Sequence, residues 1–440
     1  MARVVVVGGG FGGLATSLRL AKLGHEVTLV EERELGGALA PVTDPDTDGA
    51  FSWDTATHTL VPGVVRDLFR KTGRPLEREL DLVQLGCLRE HRFGDGTSLV
   101  LTARRSDQHE AFDRLRAGLG DAWVDHVASY GDPWEVVRRE YAEVPWDPDH
   151  LSRQLGAVFG SRESLRRRLR AVSRDQRVSL VAGEPFTADG HDLRDVPAWA
   201  GLTSYLEQRF GVWAFTGGTV ALRDALVARL TTRRVSVVSA QAHDVVVREG
   251  RAVAVTTSAG DLDADAVVCA VDPRRLPALA SYVARTTPAL PPVTCHVGLA
   301  GPVPELPHEL VVHGDPLLVV RTLGRAPDGH HAWTVHGRGR VDEDLLVTLA
   351  RRGVDVREQV VARVDLSPRD QVVRWGGSPC GVQWAGRTTV RRRLGPRTPV
   401  AGVYAAGAHA APGAGLPFVG LSAALVAQVV GPARGMEAEG

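Results

Sequence analysis

The chain has 440 residues, with 52 basic against 52 acidic side chains and a formal net charge of zero. That balance excludes the global positive field that recruits nucleic acid. The length allows roughly two to three domain-sized units with ample core. Four cysteines, Cys87, Cys269, Cys295 and Cys380, form no Cys-x-x-Cys pair, so neither a metal site nor a dithiol centre is expected.

The chain opens on Val4–Val7, a continuous β-branched run of the kind a parallel strand buried on both faces requires. Gly8, Gly10 and Gly13 follow at the spacing of a dinucleotide-binding fingerprint, with Phe11 and Gly12 completing the loop. The first glycine permits the tight turn, the second lets backbone approach a pyrophosphate, and the third lets the helix pack close on the strand. A helix carrying Leu14, Leu18 and Ala21 on one face presents its N-terminal N–H groups to the phosphates. Val27–Val30 is the next strand. It ends at Glu31, whose carboxylate suits a ribose, and Glu32 stands beside it.

Gly36–Gly37 either continues the nucleotide cradle or is a surface turn, and His58 is either a candidate to face a cofactor ring or a hydrogen-bonded core histidine. Residues 64–209 then change character to helical periodicity with acidic and arginine-rich faces, as an inserted domain would. Within it, Leu155, Val158, Phe159, Leu165, Leu169 and Val172 lie near helical spacing among Arg162, Arg166, Arg167, Arg168, Arg170 and Arg174. Such a basic amphipathic helix either lies on an anionic membrane surface or is a solvated helix face.

From residue 210 the pattern returns to α/β: Gly217–Gly218, a helix through Leu222, Leu226 and Leu230, and strands near 235–238, 245–247, 252–257 and 266–270. Residues 276–375 read as a second part of the insertion, with strands near 293–299, 317–322 and 332–335 and a helix near 342–351. His330, His331 and His336 lack a carboxylate at ligand spacing and are read as structural or exposed. A strand over 400–405, the loop Gly407–Pro417 and a helix from about Gly420 to Val430 close the chain. The loop's backbone N–H groups and the helix start favour negative charge, as on a reduced flavin. The charge-free stretch from Thr398 to Ala433 is interrupted by Gly and Pro and is too short in its helical part to span a bilayer. With the fold beginning at Val4, no signal peptide is read. The expected location is cytoplasmic, with peripheral contact to the inner membrane face as an option.

Taken together, the strand with Gly8, Gly10, Gly13 and Glu31, the segment Gly211-Val212-Trp213 before Gly217-Gly218-Thr219, and the loop Pro412-Gly413-Ala414-Gly415-Leu416-Pro417 resemble the phytoene desaturase family of FAD flavoproteins. That family belongs to the amine oxidase and protoporphyrinogen oxidase fold group. The resemblance implies an α/β fold: a Rossmann-like FAD-binding domain (1–63, 210–275 and 376–440) with an inserted α+β substrate domain (64–209 and 276–375). FAD would lie extended, its pyrophosphate at the Gly8 loop, its ribose at Glu31 and its adenine near Ala242. Its flavin half would be framed by Gly407, Gly415, Leu416 and Pro417.

The activity implied is hydride transfer between a C–H or C=C centre of a hydrophobic, isoprenoid- or carotenoid-like small molecule and flavin N5. His58 and His409 are the catalytic candidates by position. Many amine oxidases of this fold group hold a water on a lysine near the flavin. Lys22 and Lys71, the only lysines here, do not match that position, which disfavours amine oxidation. An oxidase, saturase or isomerase of another small molecule would use the same geometry. Ala38 and Ala56–Thr57 stand where the family often has Arg and Gly-Pro. Those departures keep open a flavin-binding protein without turnover. The oligomeric state is not legible.

Overall fold

The structure, a computed structural model, describes residues 1–55 and 59–433. At its centre, strand Arg3–Val7 pairs in parallel with Ala266–Cys269 on one side and Glu26–Glu31 on the other. Val403–Ala405 and Ser236–Ser239 extend the sheet outward to five strands, all parallel. The apolar run at Val4–Val7 is explained by this place, because helices cover one face and an antiparallel sheet covers the other.

On the helical face, Phe11–Lys22 packs against Leu416–Val430, with Gly63–Thr72 and Thr219–Thr232 beside them. Leu14, Leu18, Leu68, Leu226 and Val426 are fully buried there or nearly so. Each contributes about 1.5–3 kcal/mol relative to exposure. On the other face, Ala242–Arg248, Arg251–Thr257 and Gly260–Asp263 form a three-stranded antiparallel sheet over Val5 and Val7. The first and last helices of the described chain thus share one core on the same face of the sheet.

A second sheet of seven strands runs in the order Val360–Leu366, Val293–Ala300, His330–Arg338, Leu317–Arg321, Glu309–Val312, Arg89–Arg92, Ser98–Leu101. Neighbours are antiparallel except Glu309–Val312 with Arg89–Arg92. Helices Arg105–Leu115, Leu119–Ala128, Leu165–Val172 and Gln176–Ala188 build a separate core around Phe112 and Trp123, whose rings stack 4.4 Å apart. The hairpin Arg89–Arg92 and Ser98–Leu101 lies inside a stretch whose periodicity suggests helix. Its first strand buries Arg89 and His91, so the apolar alternation that marks a strand is missing there.

The single helix predicted over 155–172 is two in the structure, Arg153–Gly160 and Leu165–Val172, the second capped by Ser164, which accepts from Arg167 N at 3.3 Å. Leu165 and Leu169 are fully buried in the protein's own core, so the apolar face is already used. Arg168 turns inward over the Tyr130 ring, while Arg167, Arg170 and Arg174 face solvent. Among the described residues no helix is long and apolar enough to cross a membrane.

Candidate functional site

The glycines of the first loop do three different things. Gly8 adopts a φ of +105°, a conformation L side chains rarely take, and a Cβ there would also lie 2.6 Å from Val271 Cγ1. A Cβ on Gly13 would collide with the Gly8 carbonyl oxygen, so this glycine lets the helix sit directly on the turn. Gly10 differs: a Cβ there meets nothing within 4 Å. Its backbone borders the cavity described below. Gly12 closes onto the other end of the chain, where its Cβ would approach Gly407 Cα to 2.8 Å.

Glu31 supports the loop from the end of its strand, its carboxylate accepting from Gly9 N at 2.7 Å and Arg33 N at 2.9 Å. Gly36 N donates to Gly9 O at 2.8 Å, and Gly36 and Gly37 both have positive φ, so the second glycine turn is stitched to the first. Glu32 points elsewhere, bridging Arg275 at 2.8 Å and Arg33 at 2.6 Å; the bond from Arg275 holds its carboxyl below the usual range. Ala242 begins its strand opposite Thr257, on the far face of the parallel sheet and outside the cavity lining.

At the other end, Gly407 (φ +97°) and Gly415 (φ +96°) turn the loop into helix Leu416–Val430. Neither this helix nor Phe11–Lys22 has a side-chain cap or an acidic residue in its first turn. Two helix N-termini therefore present uncapped N–H donors and positive potential at one place. His409 is buried beside them, with Nε2 3.2 Å from Ser378 O and Nδ1 3.9 Å from Asp272 Oδ2. Burial lowers its pKa, which favours a neutral ring. Arg393 donates to Pro412 O at 3.0 Å and lies over the Trp384 ring, and Tyr141 OH donates to the same carbonyl at 3.4 Å, which together hold the loop. His58, with Ala56 and Thr57, lies outside the described residues.

These loops border one cavity of about 560 Å³, within the range of about 300–1,000 Å³ usual for ligand sites. Gly8, Gly10, Phe11, Gly12, Glu31, Gly36, Gly37, Gly407, His409, Gly415, Leu416 and Pro417 all line it, while Gly13, Glu32 and Ala242 do not. The cavity continues between the two sheets, past Trp134, Tyr141, Trp199 and Trp384, to a charged wall. There Arg89 bonds Glu207 and donates from Nε to Glu309 at 3.1 Å, and Arg321 donates to Glu309 at 2.9 Å. Glu184 stands 3.6 Å from Arg89 Nε. Sequence reasoning does not find this wall, because its residues come from five separate segments with no local spacing to mark them. No lysine lines the cavity, and among the described residues no cluster of His, Cys, Asp or Glu is arranged to hold a metal.

The donor set fits a dinucleotide. The uncapped N–H groups and the open space at Gly10 suit a pyrophosphate, and the Glu31 carboxylate suits a ribose. A parallel sheet whose first glycine loop shares one cavity with the glycine loop at Gly407–Pro417 fits a long dinucleotide. Comparison with known sequences agrees: the chain matches the family described as flavin containing amine oxidoreductase over residues 11–431, and it belongs to that family. It is 28% identical to hydroxyneurosporene desaturase of Cereibacter sphaeroides, over 97% of both chains. It is 30% identical to all-trans-zeta-carotene desaturase of Myxococcus xanthus, over 61% of this chain and 52% of that one. Cyclohexylamine oxidase of Brevibacterium oxydans shares the fold at a TM-score of 0.64, with 16% identity over 98% of this chain and 99% of that one. The chain is an FAD-dependent oxidoreductase related to the carotenoid desaturases.

Proposed function

We propose that the chain transfers hydride between a C–H or C=C centre of a hydrophobic, isoprenoid- or carotenoid-like substrate and its flavin. Bound FAD supplies the two-electron chemistry, at N5. The loop Gly8–Gly13 with Gly36–Gly37 would hold the pyrophosphate, Glu31 the ribose, backbone near Ala242 the adenine, and Gly407–Pro417 the flavin half. The division into an FAD-binding part (1–63, 210–275, 376–440) and a substrate part (64–209, 276–375) belongs to the same proposal. What supports it above all is that one cavity runs from the glycine loops of both chain ends into the aromatic interior between the two sheets. Its walls orient a long substrate and keep water from the reacting carbon. Among the described residues, no lysine or metal-ligating cluster competes for another chemistry there.

The test is anaerobic. The purified holoenzyme is mixed with polyenes in liposomes and the visible flavin bands are followed. Bleaching by a polyene supports the reading; FAD that stays oxidised with every polyene, yet is tightly held, replaces it with a flavin-binding role.

Peripheral membrane contact is proposed through the exposed Arg167, Arg170 and Arg174, acting by charge because Leu165 and Leu169 are already buried. At about 1 kcal/mol per arginine near an anionic surface, changing all three to Gln is expected to weaken liposome partitioning about 100-fold. Flotation with anionic liposomes that is unchanged by the triple substitution would remove this contact.

A further inference from the structure

The charged wall of the cavity sets three carboxyls, Glu184, Glu207 and Glu309, against two arginines, Arg89 and Arg321. Arg89 is matched by Glu207 and Glu309, and Arg321 by Glu309. Two cations and two anions therefore close the network that ties Arg89–Arg92, Thr203–Phe210, Glu309–Val312 and Leu317–Arg321 together. Glu184 is the surplus. It is 4% exposed, lines the cavity, and its nearest charged partner is the already engaged Arg89 Nε at 3.6 Å. Among the described residues no hydrogen bond reaches its carboxyl, whereas Glu207 and Glu309 both accept from arginine. Its helix, Gln176–Ala188, carries directly after it Pro185, which also lines the cavity and cannot donate to the Val181 carbonyl.

A buried carboxyl that no donor reaches costs free energy unless something meets it there. A hydrocarbon laid against this wall would leave it unmet. We propose that Glu184 is the anchor for a polar end of the substrate, a hydroxyl or carbonyl oxygen on an otherwise apolar chain, to which its carboxyl hydrogen-bonds. This inference rests on the proposed function and narrows its substrate class from isoprenoid hydrocarbons to oxygenated ones. Burial pushes the Glu184 pKa up to about 8, against Arg89 and Arg321, which lower it, and with Glu207 and Glu309, which raise it further. At neutral pH the carboxyl therefore keeps a proton to donate to an oxygen, and Gln, which also donates and accepts, is its nearest neutral mimic.

The experiment titrates oxidised holoenzyme with two polyenes of equal length, one a hydrocarbon and one bearing a terminal hydroxyl, reading the perturbation of the flavin bands. Wild type is expected to bind the hydroxylated polyene at least about tenfold more tightly, the discrimination one buried hydrogen bond supplies. Glu184→Leu should abolish that preference while binding the hydrocarbon as well as before, and Glu184→Gln should keep most of it. With a terminal carbonyl in place of the hydroxyl, which can only accept, the wild-type preference should fall above about pH 8, and that of the Gln variant should not. Unchanged FAD content in both variants controls for folding. If Glu184→Leu loses its FAD, Glu184→Gln carries the test through its pH profile. Equal binding of the two polyenes by wild type, a preference that survives Glu184→Leu, or parallel pH profiles for wild type and Glu184→Gln would overturn the anchor. Preferential binding without any flavin bleaching would instead refute the proposed redox function and leave the anchor standing. Binding of neither polyene would refute both.

Discussion

Replacing Gly10 with alanine is expected to leave the apoprotein's melting temperature unchanged and to weaken FAD binding about 10- to 100-fold, or about 1.4–3 kcal/mol. Replacing Gly13 with alanine should instead destabilise the apoprotein itself. The two positions are three residues apart in one loop, and the difference follows from what a methyl group would meet. At Gly10 the backbone is already extended, with φ −69° and ψ −180°, and a Cβ finds open space on the cavity side. The methyl therefore harms only a ligand that needs that space. At Gly13 the same methyl strikes the Gly8 carbonyl oxygen, a backbone atom held by the turn. Helix propensity favours Ala over Gly by about 1 kcal/mol. Overpacking against atoms that cannot rotate away costs about 1–3 kcal/mol and at times more. The collision wins, and FAD binding falls with the fold. Thermal melts of the apoproteins and FAD titrations by flavin fluorescence check both halves. Wild-type FAD affinity in Gly10→Ala would show that this loop does not cradle the phosphates.

The contrast between these two glycines also marks where sequence reasoning is strong. The fingerprint loop is local: its strand, turn, helix and terminal acid occupy one run of chain, so spacing alone encodes their geometry. The same holds for the C-terminal loop, where glycines and a following apolar helix announce a close backbone approach. The strand Arg89–Arg92 is illegible for the opposite reason. Its inward positions are Arg89 and His91, and each becomes sensible only beside partners far away: Glu309 is 220 positions on, and His313 lies 2.9 Å from His91 across 222 positions. Periodicity reads burial through apolar side chains, so a strand that buries charge is read as surface. Glu184 is hidden likewise, as an acid in a helix whose surroundings are supplied by three strands and another helix. The arginine-rich helix shows a third case: the amphipathic pattern at Leu165 and Leu169 is real, but whether its apolar face meets a membrane or the core is a tertiary fact.

The charged wall makes the second large prediction, and it is one of sign. Arg89→Met removes the cation shared by Glu207 and Glu309 and leaves both acids buried without it. Breaking such a network is expected to cost about 3–5 kcal/mol at neutral pH. Glu184→Gln should do the reverse. The Glu184 pKa is near 8 in the folded protein against a reference of 4.5, so the folded state binds the extra proton between those values. Stability then falls as pH rises through that window, because ionising Glu184 beside Glu207 and Glu309 is unfavourable. Below about pH 4.5 both states hold the proton and the substitution should have no effect. Above about pH 8 the native protein carries the full penalty and the Gln variant does not. Thermal midpoints of wild type and Glu184→Gln should therefore coincide in acid and separate progressively toward pH 8, with the variant higher. The Arg89→Met deficit should shrink on acidification, as its orphaned carboxyls take up protons. Curves for Glu184→Gln that stay parallel to wild type from pH 4 to 9 would mean that Glu184 is ionised in the fold. A cation would then be holding it, and the carboxyl would no longer be surplus to the wall.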